Sequence, residues 1–166
     1  MEGKLKKDFE KTWMQTSNRI RAYMFCSCGN WTEADDLLQD CYLRAFQRWG
    51  QFNGTGSRQA WIFTIARNIC IDFFRGRKQP TRKVNDEILI RPITTAHSDQ
   101  KLESIWSIIN CIADEYREVI YLRFAADLDY KEIAESLKIP IGTVRSRLHR
   151  GLNVVKEKLQ EHKNGT

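Results

Sequence analysis

Proline is scarce in this chain, with 3 residues in 166, and glycine numbers only 9. Neither a collagen-like nor a low-complexity chain is compatible with that, and few positions are barred from a helix. No run approaches the roughly 18 apolar residues of a membrane span. The stretch Met1 to Lys11 is too charged and too poor in apolar residues for a signal peptide, so a cytoplasmic protein with no membrane insertion of its own is expected. No CxxC pair is present. The five cysteines (Cys26, Cys28, Cys41, Cys70, Cys111) are odd in number, three lie within apolar helical patterns, and they read as reduced thiols. Cys26-Ser27-Cys28 leaves one residue between thiols, with no histidine nearby in sequence, which is poor zinc-ligand spacing. The three histidines, His97, His149 and His162, are scattered. No glycine-rich phosphate loop follows a strand, and no Ser, His and acid grouping stands out. Neither an enzyme nor a cofactor or metal is expected.

What the chain does have is 42% apolar residues, 29% charged residues and a net charge of +6, unevenly spread. Residues 1–78 carry +5, residues 79–98 carry +1, and residues 99–166 sum to zero. The last part divides again, into 99–135 at −5 and 136–166 at +5. A basic C-terminal segment suits a polyanion, and the acidic segment before it suits a different partner.

Apolar periodicity predicts helices throughout, with neither strand alternation nor an internal repeat. Phe9, Trp13, Ile20, Tyr23 and Met24 predict a first helix from about Lys6 to Cys26, ended by Cys28-Gly29-Asn30. Thr32 is placed to cap the next helix, with Asp35 at the capping-box position. Along it Ala34, Leu37, Leu38, Cys41, Tyr42, Ala45, Phe46 and Trp49 make an apolar stripe, and Asp36, Gln39, Asp40, Arg44 and Gln47 face away. Gly50 to Ser57 reads as a loop. The helix from Arg58 to Gly76 is apolar over most of its circumference, leaving a polar strip of Thr64, Arg67, Asn68 and Arg75. Residues 79–98, with Pro80 and Pro92, read as a flexible linker. Two small helical domains, 1–78 and 99–166, are therefore expected in an all-α fold. In the second, Leu102, Ile105, Trp106, Ile109 and Ile112 predict one helix, and Tyr116, Val119, Ile120, Leu122 and Phe124 another.

Asp129-Tyr130-Lys131-Glu132 is a capping box that opens a short helix holding Ile133, Ala134 and Leu137. A turn over Lys138 to Gly142 follows, and Thr143 is placed to cap a second helix. The pair reads as a helix-turn-helix. In its second helix Val144, Leu148, Leu152, Val155 and Leu159 form a buried stripe, so Ser146, His149, Arg150 and Asn153 point the other way, flanked by Arg145 and Arg147. Such a helix fits the major groove, where arginine makes two hydrogen bonds to guanine and neighbouring cations neutralise phosphates. A helical hairpin with a merely solvated basic face is the plainer alternative.

These blocks together resemble the extracytoplasmic-function class of bacterial RNA polymerase sigma factors over nearly the whole chain. The resemblance is carried by Glu33-Ala34-Asp35-Asp36-Leu37-Leu38-Gln39-Asp40, by Ala60-Trp61-Ile62-Phe63-Thr64-Ile65-Ala66-Arg67-Asn68 with Ile71-Asp72, by Tyr130 to Glu135, and by Ile139 to Arg150. It implies that 1–78 is the region that binds core polymerase and reads and melts the minus-10 element, with contact candidates Asp36, Gln39 and Asp40 for polymerase. The loop Gly50 to Ser57 and the following helix would capture a flipped base, with Phe52 and Asn68 at the pocket positions and Asn53 and Arg67 nearby. Stacking an aromatic on an unpaired base and reading its edge with an amide is suitable chemistry. Region 99–166 would read the minus-35 element through Arg123, Thr143, Arg145, Ser146, His149 and Arg150. The partners implied are core RNA polymerase, promoter DNA and an anti-sigma factor. Two departures from the family pattern stand out: Ile112-Ala113 in place of Leu-Pro, and Lys138 where glycine is frequent. A self-contained helix-turn-helix regulator would explain 99–166 but leave the helices at 33–49 and 58–76 without a role.

Overall fold

The computed structural model describes residues 2–76, 105 and 108–164. The stretch 79–98 read as a linker, together with Leu102, Trp106 and His97, lies outside them. Among the described residues the fold is all-helical, with no strand. Helix α1 spans Glu2–Cys28, α2 spans Trp31–Arg48 and continues into a 3-10 turn at Trp49–Gln51, and α3 spans Arg58–Gly76. In the second half α4 spans Asp114–Ile120 and runs on as a π-helical stretch, Tyr121–Ala125; α5 spans Tyr130–Leu137 and α6 spans Ile141–Asn164.

The break between α1 and α2 is local chemistry. Gly29, at φ 74°, donates its N–H to Phe25 O (2.7 Å), and Asn30 then caps α2 by accepting from Glu33 N at 3.1 Å. The cap is thus Asn30 and not Thr32. Asp35, freed of a capping role, takes both arms of Arg21, which also lies over the Trp31 ring. That hydrogen-bonded pairing holds the Asp35 carboxyl below its ordinary range.

The first-half core joins Phe9, Ile20 and Met24 of α1 to Ala34, Leu37, Cys41 and Ala45 of α2 and Ile62, Phe63, Ala66 and Ile69 of α3, all buried. Phe9 is the hub, with the rings of Trp13, Tyr42, Phe46 and Trp49 between 5.2 and 5.9 Å away. Burying each such side chain contributes roughly 1.5–3 kcal/mol. All five cysteines are free thiols, and burial pushes Cys26, Cys41 and Cys70 up to about 12, which keeps them protonated and unreactive.

In the second half Val119, Ile120, Leu122, Leu128, Ile133, Val144, Leu148 and Val155 are buried together. Asp129 and Glu132 make the expected capping box on α5. Lys138 ends α5 in the left-handed region (φ 54°, ψ 44°), where Ile139 N reaches back to Ala134 O at 3.1 Å. A side chain there costs about 1 kcal/mol relative to glycine, which the surrounding core offsets. Three expectations are corrected. Helix α6 begins at Ile141, two residues before Thr143, so Thr143 lies in the first turn and Pro140 O accepts from Thr143 N and Val144 N. Leu152 is 41% exposed, and the position that completes the stripe is Gly151, where a Cβ would meet Tyr116 Cβ at 3.0 Å and Ile120 Cδ1 at 3.1 Å. Phe124 is 58% exposed, because the extra residue per turn of the π-helical stretch rotates it off the α4 face.

The two halves touch. Arg19 of α1 donates to Ala126 O and Asp127 O at 2.5 Å, and Ser136 of α5 donates to Ala60 O at 3.0 Å. No helix among the described residues is long and apolar enough to cross a membrane.

Candidate nucleic-acid interface

Helix α6 separates a packed side from a free side. Val144, Leu148, Gly151 and Val155 are buried against α4 and α5, whereas Arg145, Ser146, His149, Arg150 and Asn153 are exposed. Thr143 is half-buried, its carbonyl accepting from the Ser146 hydroxyl at 3.0 Å. Arg147, expected beside this face, instead turns back to Glu115 at 3.1 Å. Arg123 stands on the π-helical stretch, donating to Leu128 O (3.0 Å) with Asp127 at 3.8 Å. The Tyr130 ring gathers two of the cations: Arg123 lies 5.9 Å and Arg145 5.8 Å from its centroid. Arg123 and Arg145, far apart in sequence, are thereby brought to one face. Tyr130 is absent from the contact set expected from the sequence, where its one signal is an aromatic in the first turn of a helix, exposed in the structure.

On the first half, the loop after α2 is shaped by two left-handed glycines, Gly54 at φ 76° and Gly56 at φ 82°. Asn53 accepts from Thr55 N (3.1 Å) and the Thr55 hydroxyl (2.7 Å), closing a local turn. Phe52 is half-buried, edge-on to Trp61 at 5.9 Å, with the Arg58 guanidinium 5.6 Å from its centroid. Asn68 is exposed on α3. Its neighbour Arg67 is not free, because its guanidinium pairs with Glu118 of α4. Burial pulls the Arg67 pKa down, but the Glu118 hydrogen bond and charge outweigh it, so the net shift is upward.

On α2, Asp36 and Gln39 are exposed, and Asp40 is half-buried with its carboxylate held by Arg44 at 2.8 and 2.9 Å. Leu43, 55% exposed, continues the same helical row one turn beyond Gln39 and Asp40. It is a surface residue that the apolar-stripe count left unassigned. Among the described residues no cluster of His, Cys, Asp and Glu is arranged to hold a metal ion.

The Sigma-70 region 2 family matches residues 13–79, and the Sigma-70, region 4 family matches residues 102–153. This chain belongs to the extracytoplasmic-function class of RNA polymerase sigma factors. Among curated relatives, it is 29% identical to the ECF sigma factor SigW of Bacillus subtilis, an alignment covering 85% of this chain and 84% of SigW. It is 30% identical to the ECF sigma factor SigC of Mycobacterium tuberculosis, covering 89% and 80% of the two chains. Among solved structures, the sigma factor RpoE of Bartonella quintana, in complex with the anti-sigma factor NepR, superposes with a TM-score of 0.74 at 26% identity, covering 93% of this chain and 98% of RpoE. As a sigma factor of this family, the chain binds core RNA polymerase and directs transcription initiation at promoters. The family is one of regulatory, non-enzymatic proteins.

Proposed function

We propose that this sigma factor reads two promoter elements with two domains, 1–78 and 99–166, joined through 79–98, in the cytoplasm. Arg123, Thr143, Arg145, Ser146, His149 and Arg150 contact the minus-35 element in duplex form. The loop at Phe52 and Asn53, with Arg67 and Asn68 on α3, takes the minus-10 element during strand opening. Phe52 stacks on an unpaired base and Asn68 reads its edge, a capture costing only a few kcal/mol of unstacking. Asp36, Gln39 and Asp40 dock on core polymerase, with Leu43 as an apolar contact in the same row. An anti-sigma factor is a partner by analogy with RpoE of B. quintana, whose solved structure holds one.

The observation that carries this reading is the division of α6, whose apolar residues are buried while Arg145, Ser146, His149 and Arg150 stand exposed. A face that the fold does not use, rich in groups that bond base edges, is suited to the major groove. The test is run-off transcription with core polymerase on a pool of randomised promoters. Selected templates should share two separated blocks. Enrichment of a single block, or none, would overturn the two-element reading. Gln39→Ala combined with Asp40→Ala should weaken core binding in titration while leaving the helical content unchanged.

A further inference from the structure

Helix α3 opens on a cation. A positive charge at the N-terminus of a helix stands against the helix dipole, so helix formation alone does not account for Arg58 at the first position. Its partners do. The guanidinium pairs with Asp8 of α1, and it lies 4.9 Å from the centroid of the Trp49 ring and 5.6 Å from that of Phe52. Trp49 and Phe52 each meet Trp61 edge-on at 5.9 Å, and buried Trp49 in turn leans on Phe9 at 5.2 Å. Arg58 and Asp8 each keep 41% of the side chain exposed, so either can be substituted without leaving a cavity.

This cluster ties together both ends of the loop assigned above to the minus-10 strand. Trp49 and Phe52 stand where the chain leaves the 3-10 turn, with Phe52 N donating to Trp49 O at 3.3 Å, and Arg58 stands where it enters α3. Between these ends Gly54 and Gly56 are left-handed, and Asn53 bonds to Thr55 inside the loop. The Phe52 ring itself is met by Trp61 and by Arg58. A planar guanidinium lying over one face of a ring leaves a base at most the other face to stack on. Asp8 anchors that plane from α1, outside the loop.

We infer that Arg58 is a positioning residue for base capture: held by Asp8 and lying over Trp49 and Phe52, it fixes the Phe52 ring so that one face receives the unpaired minus-10 base. This rests on the minus-10 reading of Phe52. Ordering the ring before the strand arrives lowers the cost of capture, because less side-chain freedom is lost on stacking. Asp8 touches no DNA in this scheme and acts through Arg58. The pairing also neutralises Arg58, which separates this role from that of a phosphate contact. Removing the Asp8 charge strengthens a phosphate contact, whereas it weakens capture by a ring that Arg58 must hold in place.

The experiment uses holoenzyme assembled from the full chain and the minus-10 single strand recovered from the promoter selection, with 2-aminopurine placed at each position in turn. Stacking on an aromatic ring quenches this base analogue, so capture is read both as affinity and as quenching. Arg58→Ala and Asp8→Asn should each bind the strand roughly two- to fivefold more weakly at matched salt, with less quenching. Arg58→Lys should behave like Arg58→Ala, because a flexible ammonium does not hold a stacked plane. In a Phe52→Ala background, Arg58→Ala should cost nothing further. Melting curves confirm folding, and Asp8→Asn carries the test if Arg58→Ala is unstable. Tighter binding by Asp8→Asn, wild-type behaviour of Arg58→Lys, or an undiminished loss from Arg58→Ala in the Phe52→Ala background would make Arg58 a phosphate contact and overturn the proposal. Unchanged affinity and quenching in both Arg58→Ala and Asp8→Asn would overturn it as well. If Phe52→Ala alone binds and quenches as wild type does, the minus-10 reading of Phe52 fails and the proposal with it, an outcome recognised without any change at Arg58.

Discussion

The two proposed reading sites differ in how the fold treats them. On α6 the working face is left over from packing: Val144, Leu148 and Val155 are buried, and the polar arc of Arg145, Ser146, His149 and Arg150 stays exposed. On the loop and α3 the working groups are shared, with Arg67 taken by Glu118 and Ser57 by Glu132 and Glu135. A site that is merely the back of an amphipathic helix is available whenever the domain is folded. A site built from charged groups on a domain boundary depends on where the other domain sits.

The packing behind α6 is the most sensitive point of the second half. Gly151→Val would force a branched side chain against Tyr116 Cβ and Ile120 Cδ1. It should destabilise the protein by about 1–3 kcal/mol in denaturant melts and weaken minus-35 binding with it. A silent Gly151→Val would mean that α6 is not held by this contact. Next, Tyr130→Ala removes the ring on which Arg123 and Arg145 converge, worth about 0.5–1 kcal/mol at an exposed site. Minus-35 affinity should fall by roughly two- to fivefold, and Tyr130→Phe should restore it. The smallest effect belongs to Lys138→Gly, which relieves the left-handed strain and should raise stability by up to about 1 kcal/mol. Minus-35 affinity should stay unchanged, because Lys138 closes α5 and is absent from the reading arc. Limited proteolysis checks the division itself, with cutting expected between Pro80 and Ser98 and resistance within 33–76.

Most of the α6 face was legible in advance because it follows from period alone, and the Asp129 capping box needed only its four residues. The misplacements have local causes. Asn30 and Thr32 compete for one cap, and the residue that can accept from Glu33 N wins. Gly151 carries no side chain, so an apolar count passes over it in favour of Leu152. A π-helical stretch changes the period in mid-helix and turns Phe124 outward. The Arg67–Glu118 pair joins residues 51 positions apart and leaves no periodic trace. The charge split between 1–78 and 99–135 was visible, but the contacts of Glu118 with Arg67 and of Glu132 and Glu135 with Ser57 were not.

If the two sites do separable work, a matched pair of substitutions fails in two different assays. Arg150→Ala and Asn68→Ala both alter exposed positions and open no cavity. Each holoenzyme is assayed at one salt concentration by gel shift on minus-35 duplex and by permanganate reactivity of thymines around minus 10. Arg150→Ala should lose about 1–3 kcal/mol of duplex affinity if the contact is to a base, with opening of an already bound promoter little changed. Asn68→Ala should bind the duplex as wild type does and show reduced thymine reactivity. Equal failure of both variants in the same assay would contradict the division of labour.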